Sequence, residues 1–146
     1  MSETVAAADS GSGVRSGGCL CGKIRFTVTG SVDDPHVCNC AHCAERSGAP
    51  FPWRARFPMA GPKRTGEGGE PTWYDTCPGR TARGFCGGCG SHIAARGHGD
   101  DTVVGILATA LDHYGTGPAL APASLDRAAE AAPWLARCGP RPAVTG

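Results

Sequence analysis

At 146 residues, with 40% hydrophobic and only 6% aromatic residues, the chain has the size of one domain with one modest core. Fourteen basic against thirteen acidic residues leave a net charge of +1, and no run of like charges marks a nucleic-acid surface. No apolar stretch reaches membrane-spanning length, and the opening residues lack the basic start and apolar run of a signal peptide, so a cytoplasmic setting is expected.

Residues 1–16 are small, polar and aperiodic, which predicts a disordered leader, with the domain beginning at Gly17. The stretch "CLCGKIRFTVTG" alternates as a half-buried strand does, with Leu20, Ile24, Phe26 and Val28 on one face and Lys23, Arg25 and Thr27 on the other. Cys19 and Cys21 then share a direction at its start. After turn signals at Gly30 to Pro35 comes "CNCAHC", whose continuation "AERSGAP" leaves room for a short helical turn before Pro50. "FPWRARFP" reads as a strand bounded by prolines, and Gly61 to Glu70 as a surface loop leading to a short strand around Trp73 and Tyr74. "RGFCGGCGSHIAARG" is a turn between two strands with its cysteines at the turn, and "DTVVGILATAL" is the longest apolar strand, central in a sheet. Ser124 to Ala132 has helix-forming composition, with Ser124 as N-cap and Pro133 as stop. The domain is expected to run over 17–138 and a loose tail over 139–146. No repeat is found, and the fold class is mainly β.

Nine cysteines in a chain without secretion signals favour metal over disulfides. The knuckle Cys86-Gly-Gly-Cys89 places two thiols around one metal, its glycines allowing a tight turn. Its partners are either Cys19 with Cys21 or two of Cys38, Cys40 and Cys43. Seven clustered thiols divide naturally as four plus three: Cys19, Cys21, Cys86 and Cys89 closing one tetrahedral zinc site, and Cys38, Cys40 and Cys43 holding a second zinc with a position open to a thiolate. A fourth protein ligand, His36, His42 or Cys77, is the alternative that closes the second site. His42 is also a candidate acid or base. Arg80 and Arg83 are candidates to grip a carboxylate, and Phe51 and Trp53 to wall a pocket. Cys77 and Cys138 are otherwise packing residues.

Three blocks, "GGCLCGKIRFTVTG", "CNCAHCAERSGAPF" followed by Trp53, and "RGFCGGCGSHI", resemble the signatures of the glutathione-dependent formaldehyde-activating enzyme family, also called the GFA or CENP-V domain. The "PWL" at Pro133 to Leu135 resembles the family's ending. The resemblance implies an Mss4-like, mainly β fold stapled by zinc, with short helical segments and two Zn²⁺ per chain. Cys19, Cys21, Cys86 and Cys89 match the structural set, and Cys38, Cys40 and Cys43 the catalytic set. It further implies a carbon–sulfur lyase of the S-hydroxymethylglutathione synthase type, joining a small thiol to formaldehyde or a related aldehyde, or cleaving the adduct. The partners are thus a small-molecule thiol and aldehyde, with neither nucleic acid nor membrane. Two positions depart from the family pattern: Ala44 and Glu45 replace a basic pair, and Ser124 to Ala132 lacks a His-aliphatic-aromatic run. A non-catalytic zinc-stapled binding module is the second function class.

Overall fold

The computed structural model of the chain describes residues 13–65, 69–97, 99–114 and 118–134. Among these residues ten strands form two sheets. A three-stranded sheet contains β1 (Val14–Gly18), β2 (Arg25–Thr29) and β5 (Lys63–Arg64) in the order β1-β2-β5. A seven-stranded sheet has the order β10-β3-β4-β9-β8-β7-β6, built from β3 (Asp33–Cys38), β4 (Trp53–Pro58), β6 (Thr72–Cys77), β7 (Thr81–Phe85), β8 (His92–Gly97), β9 (Val103–Leu107) and β10 (Ser124–Asp126). Neighbours are antiparallel except β10 and β3, which are parallel. The one α-helix among the described residues, α1, spans Ala41–Ser47. The mainly β class with short helical segments is therefore the observed one.

Alternation explains how the sheets face each other. Ile24 before β2, with Phe26 and Val28 in it, packs against Ala55 and Phe57 of β4, Ala94 of β8 and Val104 and Ile106 of β9. Successive side chains of a strand point to opposite faces, so Arg54 and Arg56 of β4 leave on the far side from Ala55 and Phe57. Central β9 lies fourth of seven, as its apolar run predicts, although it has five residues where β4 has six.

Several expectations are corrected. Leu20 is 89% exposed because Cys19 to Ile24 form a loop closed by Gly22 N–H to Cys19 carbonyl and Cys19 N–H to Ile24 carbonyl bonds, not the start of a strand. Gly18 is required there, since a Cβ would collide with the Ile24 carbonyl. Residues 14–16, within the expected leader, form β1 by pairing with Thr29, Val28 and Thr27. The helix after Cys40 is seven residues long rather than a single turn, ending at Gly48 (φ 66°) two residues before Pro50. The predicted helix over Ser124 to Ala132 is instead β10 followed by a 3₁₀ turn at Ala128–Glu130. Leu125 is buried there and Ser124, Leu125 and Asp126 align with His36, Val37 and Cys38, so burial and pairing override an alanine-rich propensity. The expected tail at 139–146 lies outside the described residues, as do residues 1–12 of the leader, Leu135 of the "PWL" block and Cys138.

The small sheet is also tied down by charge. Arg25 makes two bonds to Asp112, 3.1 Å from Nη1 to Oδ1 and 2.5 Å from Nη2 to Oδ2, and the Ser16 hydroxyl donates to Oδ2 at 2.7 Å. These partners, Arg25 foremost, hold the Asp112 carboxyl down at about 2. Both side chains of the pair are more than a third exposed, so solvent screening limits the stabilisation to about 1 kcal/mol or less. Because the folded pKa is depressed, that contribution is complete above about pH 4 and is lost as pH falls toward 2. Asp112→Asn should therefore lower stability at pH 7 and flatten stability against pH between 4 and 2, as urea titrations at a series of pH values will show.

Candidate metal centre

The thiols of Cys19, Cys21, Cys86 and Cys89 lie within 4.8 Å of one another, as do those of Cys38, Cys40 and Cys43. The four-plus-three grouping read from spacing is the grouping in space. In the first cluster the Cys19–Cys21 and Cys21–Cys86 sulfur separations are 3.5 and 3.7 Å; in the second, Cys38 and Cys40 are 3.6 Å apart. Sulfurs placed 2.3 Å from a tetrahedral zinc are separated by about 3.8 Å, so both clusters have the spacing of a metal site.

Backbone donors support the fit. Ile24 N–H donates to Cys19 Sγ at 3.2 Å, Gly88 N–H to Cys86 Sγ at 3.4 Å, and Cys43 N–H to Cys40 Sγ at 3.3 Å. Such bonds favour thiolate over thiol. The knuckle closes through a Gly90 N–H to Cys86 carbonyl bond of 2.8 Å, and Gly90 sits at φ 79°, where a side chain would be strained. Cys89 is held at about 5, first by the Ser91 hydroxyl 3.2 Å away and then by backbone N–H donors.

The second cluster is built from the junction of β3 and α1. Cys38 ends β3; Cys40 caps the helix with its sulfur; Cys43 lies in the first turn. β10 braces the junction, since the Asp126 carbonyl accepts from both the backbone N–H and the side-chain amide of Asn39, at 2.9 and 3.1 Å. Cys38 and Cys43 are buried and Cys40 is half-buried. Burial, with Cys40 beside it, pushes the Cys43 thiol up to about 12. Its proton thus leaves only for a strong electrostatic partner, such as a bound cation.

Among the described residues no fourth His, Cys, Asp or Glu joins these three thiols. Of the alternative ligands, His36 is buried beside Asp34 and Asp126, its Nδ1 bonded to the Asp34 carbonyl at 2.7 Å. His42 is exposed on α1, and Cys77 ends β6 in the other half of the sheet.

What does converge on Cys43 is positive charge. Arg54 Nη2 and Arg83 Nη2 each lie 3.9 Å from its sulfur. A crevice beneath it is lined by these two with Arg46, Ser47, Pro52 and His92. Arg46 Nη1 donates to His92 Nε2 at 2.7 Å. Because a guanidinium only donates, His92 must be neutral, with its proton on Nδ1; burial and then Arg46 and Arg83 lower its pKa accordingly. Arg83, one of two arginines singled out in the sequence, is thus at the site, whereas Arg80 is exposed. Arg54 and His92 carried no local signal, since β-register alone delivers them. Ser47, Pro52 and His92 also line a cleft of about 810 Å³ whose wall includes Phe51, Trp53 and Tyr114. Trp53 is fixed there by an indole N–H bond of 2.8 Å to the Leu120 carbonyl and an edge-on contact with Tyr114. None of the three thiols of the second cluster lines that cleft.

A small β domain with two thiol clusters, each of which could hold a metal ion, defines the class of protein. Within that class the profile of the glutathione-dependent formaldehyde-activating enzymes matches residues 14–126, and the chain belongs to that family. Among solved structures, the crystal structure of a protein from Rhodobacter sphaeroides is similar with a TM-score of 0.55 at 19% identity, covering 67% of this chain and 88% of that one; this is a likeness of fold. Comparison with curated proteins found no match. No helix among the described residues is long and apolar enough to cross a membrane.

Two predictions follow from the clusters. Metal analysis of the loaded chain should return two ions per chain, with affinity falling as pH is lowered because ligation displaces thiol protons; a stoichiometry of one would refute the second site. Cys86→Ser should remove most of the folding stability, structural zinc contributing on the order of 10 kcal/mol, and an unchanged Tm would reject that role.

Proposed function

We propose that the chain is a zinc-dependent carbon–sulfur lyase or synthase of the GFA type, in which Cys19, Cys21, Cys86 and Cys89 hold a structural Zn²⁺ and Cys38, Cys40 and Cys43 a catalytic one. The observation that carries this reading is the three-thiol cluster with no fourth protein ligand among the described residues. Three protein ligands are the mark of a reactive zinc and four of a structural one. Zinc held by Cys38, Cys40 and Cys43 would supply a Lewis-acidic position at which a small thiol is stabilised as thiolate at neutral pH.

The chain's own residues supply the rest. Arg54 and Arg83, 3.9 Å from Cys43, offset the negative charge gathered by the thiolates. His92 borders both the crevice and the wide cleft, and its Nδ1–H is the donor suited to an aldehyde oxygen. In the forward direction the thiol sulfur bonds to the carbonyl carbon, the carbon–oxygen π pair moves to oxygen, and that oxygen takes, through solvent, the proton the thiol released, giving a hemithioacetal. In reverse the carbon–sulfur bond breaks and the hydroxyl proton returns. Phe51, Trp53 and Tyr114 give the cleft an apolar wall that limits water. Glutathione with formaldehyde is the pair that the family name indicates, in the reducing cytosol where free thiols persist.

The second reading, a non-catalytic zinc-stapled binding module, draws support from the crevice beneath Cys43, which holds only about 20 Å³. Cys40→Ser separates the two. On the catalytic reading the wild type accelerates formation or cleavage of thiol–aldehyde adducts, with the added thiol visible as a fourth sulfur on the second zinc by X-ray absorption. The variant should keep one zinc and most of its Tm while losing at least about a hundredfold in rate. A fully loaded wild type that accelerates no exchange across a panel of thiols, with four protein ligands on each zinc, would establish the binding module.

A further inference from the structure

The far face of the seven-stranded sheet carries a trough that shares Arg54 and Arg83 with the three-thiol cluster and whose occupant the reaction described above does not identify. Across β4, β9, β8 and β7 the register runs Arg56, Gly105, Ala95, Arg83, so two residues with little or no side chain lie between two arginines. Arg54, on the same face of β4, and His36 join them around a space of about 260 Å³. Arg56 is paired with Asp34 at 3.2 Å. Asp100, at the rim, is engaged by the backbone N–H of Thr102 at 3.0 Å and by its hydroxyl at 2.5 Å. Arg54 and Arg83 have no carboxylate partner among the ion pairs of the described residues. Arg54 Nε is buried without a hydrogen-bond partner among them.

Charge counting shows that these arginines exceed what the thiols require. Three thiolates on one divalent zinc leave a net charge near −1, whereas Arg46, Arg54 and Arg83 all border the crevice at Cys43. Positive charge is in surplus whether or not metal is bound, since unmetallated thiols carry less. Buried guanidinium charge without a counter-ion is costly, and a planar fork pairs best with a carboxylate. The acidic rim of Asp100 disfavours a dianion over a monoanion.

We propose that this trough is a subsite for the carboxylate of one reactant, held by Arg54 and Arg83 beside the three-thiol cluster. The inference rests on the reading of that cluster as the place where thiol meets aldehyde. It makes one reactant an acid, and it supplies from β4 and β7 the positive charge that α1 lacks at Ala44 and Glu45.

Calorimetric titration of the zinc-loaded full chain tests it with matched probes: 3-mercaptopropionate against neutral 3-mercapto-1-propanol, glyoxylate against neutral glycolaldehyde, and propionate alone. Propionate should bind and compete with the acidic member of one pair, which should bind on the order of tenfold tighter than its neutral partner. The pair showing the margin assigns the carboxylate to thiol or aldehyde. Arg83→Gln should abolish the margin and Arg83→Lys restore part of it. If Arg83→Gln fails to fold, Gly105→Ala serves, since its added Cβ would lie 3.5 Å from the Ala95 carbonyl oxygen, an ordinary contact that narrows the trough and should weaken propionate binding alone. Equal binding within both pairs, or a margin untouched by these variants, overturns the subsite. Failure of the thiol–aldehyde reading has a different signature: neither thiol reaches the metal, while propionate still binds and is lost in Arg83→Gln.

Discussion

The four-thiol joint between the loop after β1 and the turn between β7 and β8 is the constraint on which the molecule depends. The small sheet offers the core little more than Ile24, Phe26 and Val28, and its further fastenings, the partly exposed Arg25–Asp112 pair and the Gly17–Leu111 bridge, are slight. The joint links positions 65 residues apart, and the added entropy of so long a loop is modest. A Leu20 N–H bond to the Ser91 hydroxyl at 2.9 Å runs alongside it. Since β8 begins at His92, three residues beyond Cys89, the same joint fixes where His92 enters the cleft wall. The four-thiol cluster thereby frames the other one without touching it.

The three-thiol cluster depends on a different device, the use of one atom for two tasks. Cys40 Sγ accepts the Cys43 N–H as a helix cap and is also a member of the cluster, so helix formation and thiol convergence are one event. Parallel pairing with β10 holds Cys38 from the other side. The site thus draws on β3, α1 and β10 for its frame, and on β4 and β7 for its charge.

What the sequence discloses follows the range of the interaction. The seven cysteines are legible because ligand spacing within a turn is local, and the division into four and three survives in space without change. β7, β8 and β9 are legible because turn glycines and apolar runs are local too. Strand β10 is not: the alanine-rich run after it lends Ser124–Asp126 a helical look, and the groups that draw Leu125 and Asp126 into a strand, Val37 and Asn39, lie about 90 residues earlier. Arg54 is hidden for the same reason, since an arginine in "WRARF" reads as the polar half of an alternation until the sheet register sets it against Cys43. His42, adjacent to Cys43 in sequence, is exposed on α1, while His92, remote from it, lines the cleft.

The separation between short-range and long-range clusters bears on how the chain is made. Cys38, Cys40 and Cys43 leave the ribosome within six residues of one another, so all three thiols are present before Cys86 and Cys89 are made. The other set stays incomplete until Cys89 emerges, and its early members, Cys19 and Cys21, spend that interval as an unmatched pair of thiols. Translation thus completes the two clusters in sequence, and the brace at β10 follows both. Vectorial synthesis, in which segments fold as they emerge, places completion of the three-thiol set ahead of the fold's own closure.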